Sequence, residues 1–245
     1  VSTEKPVAAV ERALALLDAF RPGDFALTLA ELAKRTGLYH STILRLAATL
    51  ERADYLGRTA DGRYRIGSRP FFLGSIFQNA MQPAELILPA LNALSASTGE
   101  SAAFHVRDGD RRICLYRIDS PRVIRDHAVP GAIMPIDRGA AGKALLAFAR
   151  PWDPAYETQR RGMIALSVEE ITPEVASLAV PIFDPRGDVR GALALSGPKN
   201  RFTGAALARM RVALLDAARR LTRDLGGDTT PFVKAAARMT RLHRG

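Results

Sequence analysis

From Thr36 to Arg45 the chain reads Thr-Gly-Leu-Tyr-His-Ser-Thr-Ile-Leu-Arg, a glycine-broken turn followed by short polar, aromatic and cationic side chains at helical spacing. Such groups hydrogen-bond phosphate oxygens and base edges, and a guanidinium either grips phosphate or reads guanine. Tyr39, His40, Ser41, Thr42 and Arg45 form the set. Arg45 is the first candidate for a guanine or phosphate contact, and Ser41 and Thr42 suit phosphate positioning at a helix start. Lys34 or Arg35 ahead of the turn, and Arg58, Arg63 and Arg65 beyond it, add cations suited to phosphate or minor-groove contact. The bland alternative is a set of amphipathic helices whose charges are merely solvated. Clustering weighs against it, because Lys34 to Arg69 holds 8 basic and 3 acidic residues in a chain whose net charge is +10.

Other chemistry is harder to find. Gly139-Ala140-Ala141-Gly142-Lys143-Ala144 has the look of a phosphate loop, but the Walker spacing needs glycine at Asp137 and a hydroxyl at Ala144. His40, His105, His127 and His243 are scattered, and Cys114 is the single cysteine. A metal set would have to be assembled in space from His105, His127 and Cys114, and core or surface placement accounts for each. No Gly-x-Ser-x-Gly elbow is present. Neither metal nor cofactor is expected, and no catalytic residue is assigned. An enzyme with its active site in the C-terminal part, using Ser177 or Ser196, is the rival reading.

The elements that must position these groups follow from periodicity. Val10, Ala13, Leu14 and Leu17 recur at i, i+3, i+4, i+7 and predict a first helix with that inward face. Thr28-Leu29-Ala30-Glu31 is a capping-box pattern opening a short second helix, with Leu29, Leu32 and Ala33 inward and Gly37 at its end. A third helix carries Ile43, Leu46, Ala47 and Leu50 on one face and Thr42, Arg45, Thr49 and Arg52 on the other. Tyr55 to Arg58 and Arg63 to Ile66 alternate as strands about Asp61-Gly62, a hairpin signal. Three helices and a basic hairpin make a winged helix-turn-helix over residues 1–69.

Leu73, Ile76, Phe77 and Ala80 predict a linker helix over residues 70–83, and Ile87, Ala90, Leu91 and Leu94 another helix after it. Strands are expected at Ser101 to Arg107, Arg112 to Ile118, Val123 to His127, Val175 to Phe183 and Val189 to Ser196, with helices at Ala140 to Arg150 and around Leu214 to Leu221. The whole is multidomain α+β, with a sensor-like domain over residues 84–226. Residues 227–245 form a basic C-terminal tail in which Phe232, Ala235, Ala236 and Met239 alternate with Lys234, Arg238, Arg241 and Arg244, read as a solvated helix or a contact surface. The 15 residues between Arg69 and Glu85 form the longest uncharged stretch, too short and polar to span a bilayer. No membrane association and a cytoplasmic location are expected.

Val10-Glu11-Arg12-Ala13-Leu14, Thr36 to Leu46, and Tyr64-Arg65-Ile66-Gly67 together resemble the IclR family of bacterial transcriptional regulators. Gly131, Pro135, Ala141 to Ala147, Pro181-Ile182-Phe183-Asp184 and Ser196-Gly197-Pro198 stand in that family's order. The resemblance covers residues 6 to 226. It implies a winged helix-turn-helix, a linker helix and a C-terminal GAF-like α/β effector-binding domain. It also implies a homodimer or homotetramer that binds double-stranded operator DNA as repressor or activator under control of a small-molecule effector. The family's effector site falls here on Val123, Met134, Ala140, Ala141, Ser167, Ser177, Ala194 and Ser196. Where a member binding a small keto acid has an acidic residue, a cysteine and a first serine, this chain has Ser167, Ser177 and Ala194, so its pocket chemistry is retuned. Ala140 and Ala141 open a helix whose free N–H groups would seat an anion, and Arg125 could pair with an acid. A small organic, possibly aromatic, carboxylic acid fits those residues.

Overall fold

The computed structural model describes residues 6–81 and 84–242, without the side chains of residues 81 and 238–242. The expected linker-helix end at Gln82 and Pro83, the tail residue Arg244 and the side chains of Arg238, Met239 and Arg241 therefore lie outside the described residues. The chain divides into two compact units, residues 1–80 and 81–245.

The first unit contains α1 (Ala8–Asp18), α2 (Leu29–Thr36), α3 (His40–Arg52), a hairpin of β1 (Leu56–Arg58) and β2 (Tyr64–Ile66), and α4 (Arg69–Met81), which runs to its boundary. The capping box forms as its residues predict: the Glu31 N–H donates to Thr28 Oγ1 (3.2 Å) and the Thr28 N–H donates to Glu31 Oε2 (2.7 Å). Gly37 ends α2 in the left-handed region (φ 71°), a conformation that glycine adopts without steric cost, and the chain re-enters a helix three residues later. Ile43 and Ala47 of α3 are fully buried against Leu16, Leu32, Leu56 and Tyr64. Leu27 and Tyr64 exchange both backbone hydrogen bonds (2.7 and 2.8 Å), which ties the hairpin to the segment ahead of α2.

α1 departs from the expected face. Leu16 is buried and Ala13 and Leu17 half-buried, while Val10 and Leu14 are more than half exposed. The run Ala-Leu-Ala-Leu-Leu offers two overlapping apolar registers, and the one that carries Leu16 into the α3 contact wins.

The second unit is built on a six-stranded antiparallel sheet in the order β5-β4-β3-β8-β7-β6. Its strands are β3 (Ser101–Asp108), β4 (Arg111–Ile118), β5 (Ile133–Pro135), β6 (Ala165–Val168), β7 (Val175–Phe183) and β8 (Val189–Pro198). Five helices accompany it: α5 (Ala84–Thr98), α6 (Gly139–Phe148), α7 (Glu157–Gly162), α8 (Gly204–Asp224) and α9 (Thr230–Leu242). Cross-strand register sorts the side chains. Phe104, Leu193 and Val180 align on one face, which α5 and α8 cover. On the other, Ala103, Ala194, Ala179 and Ala165 align, and α6 packs there with alanines of its own. Small residues on both partners let this helix approach closely and leave a hollow beyond its N-terminus.

Three expectations change. No strand forms at Val123 to His127; Val123 and Ile124 are exposed, and the carbonyls of Ile124 and Asp126 accept from the guanidinium groups of Arg201 and Arg117 instead of from a ladder. β5 and β6, each of four residues or fewer, add sheet edges that periodicity did not signal. The tail helix α9 is packed on one side, with Phe232 and Ala235 buried and the Phe232 ring 5.9 Å from that of Phe183.

Because Ile43 sits at the centre of the first unit's core, Ile43→Ala should destabilise that unit by about 2–5 kcal/mol. Urea denaturation followed by far-UV circular dichroism measures this, and a loss below about 0.5 kcal/mol would show that the α2–α3 pair does not depend on this core.

Candidate functional site

On α3 the outward face carries Ser41, Arg45, Thr49 and Arg52, with His40 exposed at its start and Tyr39 83% exposed just before it. Thr42 is half-buried. Among the described residues, neither the Arg45 guanidinium nor the Lys34 ammonium has a hydrogen-bond or ion-pair partner. The other candidate cations are engaged within the unit. Arg35 pairs with Asp24 and donates to the Ala19 carbonyl (2.9 Å), fastening the end of α1 to α2. Arg58 donates to Glu51 (3.0 Å) and to the Tyr64 hydroxyl (2.7 Å), with its guanidinium over the Tyr64 ring. Arg63 pairs with Asp61 (2.7 Å) and Arg65 donates to the Ile66 carbonyl (3.2 Å), so these wing residues are held in place at an exposed turn. The unit thus presents one helix face with an uncommitted arginine, flanked by a braced basic hairpin.

The second unit encloses a cavity of about 360 Å³ beside the N-terminus of α6. Of the residues expected there, Arg125, Met134, Ala141, Ser177, Ala194 and Ser196 line it. Ala140 and Ser167 are buried behind the wall, and Val123, 91% exposed, points away. The start of α6 is already bonded. The Gly139 N–H donates to Glu170 Oε2 (3.1 Å), the Ala140 N–H approaches Ser177 Oγ (3.4 Å), and Glu170 also pairs with Lys143. The chain's own carboxylate therefore occupies the expected anion seat.

Sequence reasoning missed His105, Arg112, Arg117, Asp126 and His127, all of which line the cavity. The signal is a β-bulge. Arg117 pairs with Ala103 and Tyr116 with Phe104, but His105 pairs with Cys114, so Leu115 is the extra residue. That insertion breaks the alternation along β4 and turns both Arg117 and Arg112, five positions apart, towards the same hollow. The Arg117 side chain is almost fully buried and donates to Asp119 (2.8 Å) and to the Asp126 carbonyl (2.7 Å). Ser196 Oγ donates to Asp126 Oδ2 (2.8 Å). Arg112, 5% exposed, donates from Nη1 to Nδ1 of His105 (3.2 Å). Burial, and then the positive charges of Arg112 and Arg117, hold the His105 imidazole well below its usual range, so it is neutral near pH 7 and accepts that bond. Burial likewise pushes the Cys114 thiol up to about 11, which keeps it protonated and a poor nucleophile. Among the described residues no three His, Cys, Asp or Glu side chains are grouped to hold a metal ion.

Comparison with known proteins decides the family. The IclR helix-turn-helix domain matches residues 9–60, and the bacterial transcriptional regulator IclR C-terminal domain matches residues 79–157 and 155–223. The HTH-type transcriptional regulator BhcR of Paracoccus denitrificans is 31% identical over 243 residues, covering 88% of this chain and 86% of that protein. The chain belongs to the IclR family of transcriptional regulators. The transcriptional repressor IclR of Escherichia coli is 26% identical, covering 90% of this chain and 91% of its own. Two solved IclR structures share the fold at a TM-score of 0.74 each. One, from Thermotoga maritima, is 21% identical and covers 89% of this chain and 98% of its own. The other, an IclR homolog from Microbacterium hydrocarbonoxydans complexed with 4-hydroxybenzoate, is 22% identical and covers 89% of this chain and 99% of its own. In this IclR regulator no helix among the described residues is long and apolar enough to cross a membrane.

The Arg35–Asp24 clamp gives a test that separates bracing arginines from presented ones. Arg35→Gln should lower the melting temperature of the first unit, and Arg45→Gln should leave it unchanged. Arg35, by its hydrogen bond, holds the Asp24 carboxyl below its ordinary 3.8, so the clamp's contribution is complete above that pH and is lost as acid titrates the group through its lowered folded value. The difference between wild type and Arg35→Gln should accordingly shrink in strong acid to what the pH-independent bond to the Ala19 carbonyl contributes. Identical melting of the two proteins at neutral pH would overturn the clamp.

Proposed function

We propose that this IclR regulator reads a two-fold symmetric operator through α3 and that a small organic acid bound in the second unit modulates its affinity. The observation that carries the DNA half is the exposed face of α3, where the side chains of Tyr39, His40, Ser41 and Arg45 are presented without hydrogen-bond partners among the described residues, at the start of the helix that enters a major groove in helix-turn-helix proteins. Lys34 ahead of the turn and Arg58, Arg63 and Arg65 of the hairpin supply phosphate contacts, with Arg58 acting from a fixed position. Arg35 and Thr42 serve the register of the motif more than the duplex.

The cavity supports the effector half. Its volume falls in the range of small-molecule sites, about 300–1,000 Å³, and its arginines outnumber its acids. The homolog from Microbacterium holds 4-hydroxybenzoate, an aromatic carboxylate of suitable size. We assign Arg125, Met134, Ala141, Ser177, Ala194 and Ser196 to the lining, with Ala140 and Ser167 behind it. To regulate, the effector must bind one state of the protein more tightly than another, typically by ~1–3 kcal/mol. Turnover is no part of this reading. The Ser196 hydroxyl donates to Asp126, a carboxylate made a weak base by its pairing with Arg117, and the Ser177 hydroxyl approaches a backbone N–H, so neither serine has the imidazole-type base that activates a nucleophile.

A symmetric operator requires a second copy. Phe71 (83% exposed) and Ile76 on α4, with Val10 and Leu14 on α1, form apolar surface that a monomer leaves wet. We assign it to self-association as a homodimer or homotetramer, working in the cytoplasm.

A titration of randomised duplex DNA at several salt concentrations tests the operator reading. A steep salt slope with an enriched palindrome is expected, and Arg45→Ala should cost ~1–3 kcal/mol of operator binding without changing the melting temperature. Salt-sensitive binding with no enriched sequence would overturn it. For self-association, Phe71→Asp with Ile76→Asp should yield monomers in sedimentation velocity and weaken operator binding; an unchanged oligomer would place the interface elsewhere.

A further inference from the structure

We propose that Arg112 is the anchor for the effector's carboxylate, and that it makes the cavity selective for an organic monocarboxylate with a compact apolar body. This rests on reading the cavity as an effector site, and it adds the residue that sets specificity. Arg112 is 95% buried by side-chain and backbone together, yet its guanidinium makes one hydrogen bond, to a neutral imidazole nitrogen. Its Nε has no partner, and no carboxylate of the described residues lies within ion-pair distance. A buried arginine so placed is expensive unless an anion joins it.

The surroundings are built around this group. A Cβ at Gly139 would lie 2.9 Å from Arg112 Nη2, and one at Gly142 would strike the Ile136 carbonyl and meet Arg112 Cδ at 3.4 Å. Two glycines thus open a slot through which the guanidinium reaches the hollow beneath the start of α6, whose first N–H is already taken by Glu170, which leaves Arg112 as the free cationic donor there. Asp126 lends Arg112 some favourable charge, but its carboxylate is bonded to Ser196 and Arg117 and makes no ion pair with Arg112.

The remaining charges set the selectivity. Arg117 is neutralised by Asp119 and Asp126, and Arg125 lies 3.5 Å from Asp119, so Arg112 is the one lining arginine without an acid among the described residues. The rest of the wall includes Ala103, Ala132, Met134, Val175 and Ala194, which solvate an aromatic ring or short alkyl chain and not a second carboxylate.

The test uses the full chain and two matched trios, benzoate, benzamide and terephthalate, then hexanoate, hexanamide and adipate, read by thermal shift and calorimetry on wild type, Arg112→Met and Arg112→Lys. A monocarboxylate should bind wild type at least about tenfold more tightly than its amide and its diacid. Arg112→Met should melt at or above wild type without ligand, because an uncompensated buried charge has gone, and lose about tenfold or more in affinity for the acid. Arg112→Lys should retain the preference for acid over amide. If Arg112→Met fails to fold or melts well below wild type, Arg112 is a structural post and the proposal falls. An amide binding wild type as tightly as its acid, or Arg112→Met binding the acid normally, overturns the anchor while leaving the cavity an effector site. No response of wild type to any of the six compounds removes both.

Discussion

A guanidinium buried at the wall of a half-open hollow, beneath the start of a helix and beside an imidazole that burial keeps neutral, is the constraint around which the second unit is arranged. Desolvating an arginine costs several kcal/mol, and the fold recovers little of it through one bond to His105. Everything nearby accommodates that choice. The bulge at Leu115 turns the side chain inward, Gly139 and Gly142 leave it room, and the alanine-faced sheet keeps α6 close without filling the space. A core optimised for stability alone would put a methionine or leucine there.

The rest of the unit shows how this chain treats buried charge when no ligand is intended. Glu100 is fully buried and bonded by Arg201 through Nε and Nη2, 2.6 Å each, and by Arg122 at 3.1 Å. Arg117 is equally inaccessible and sits between Asp119 and Asp126. The same contrast holds in the first unit, where Arg35 and Arg58 are braced by Asp24, Glu51 and Tyr64 while the Arg45 guanidinium on the exposed face of α3 has no partner among the described residues. Arg35, Arg117 and Arg201 hold elements together through internal acids, whereas Arg45 and Arg112 have no acid within ion-pair distance among the described residues and are placed at the two candidate sites. Arg58 and Arg63 do both, bonded within the hairpin and exposed on it.

The first unit was legible in the sequence because its determinants are local. The Thr28–Glu31 box, the Gly37 stop, the Ile43/Ala47 stripe and the Asp61-Gly62 turn each act within a few residues, and each appears where its chemistry puts it. α1 was the exception, since Ala13 to Leu17 supports two faces and only the α3 contact chooses between them. In the second unit, family resemblance placed five lining residues and the charge of Arg125 suggested a sixth, but neither could place Arg112 or His105. Their orientation depends on one inserted residue in β4, and a two-residue alternation read without knowledge of the partner strand sends Arg112 and Arg117 to opposite faces. The Val123–His127 segment failed for a related reason: its β-branched residues favour a strand, but side chains of Arg117 and Arg201 claim its carbonyls in place of a ladder.

That last substitution has a physical consequence for regulation. The wall formed by Arg125 to Ala128 belongs to a segment whose flanks are tied by backbone bonds, Gly131 and Ala132 to Cys114, and by the Ser120 bonds to Ser101 and Gly99. Between those flanks it is held largely by side chains, Arg117 on the Asp126 carbonyl, Ser196 on the Asp126 carboxylate and Arg201 on the Ile124 carbonyl. A segment without a ladder sits at the low end of local stability, so a modest binding free energy suffices to change its conformation. Arg117, Asp126 and Ser196 all face the cavity, so a ligand competing for any of them acts directly on the bonds that keep this wall in place. Recognition at Arg112 and rearrangement of the wall are therefore separable, one resting on an unpaired cation and the other on paired groups that can exchange partners. A site with that division can bind an acid at a fixed anchor and report its arrival through a different set of contacts, which is what a regulator requires and a purely structural cavity does not.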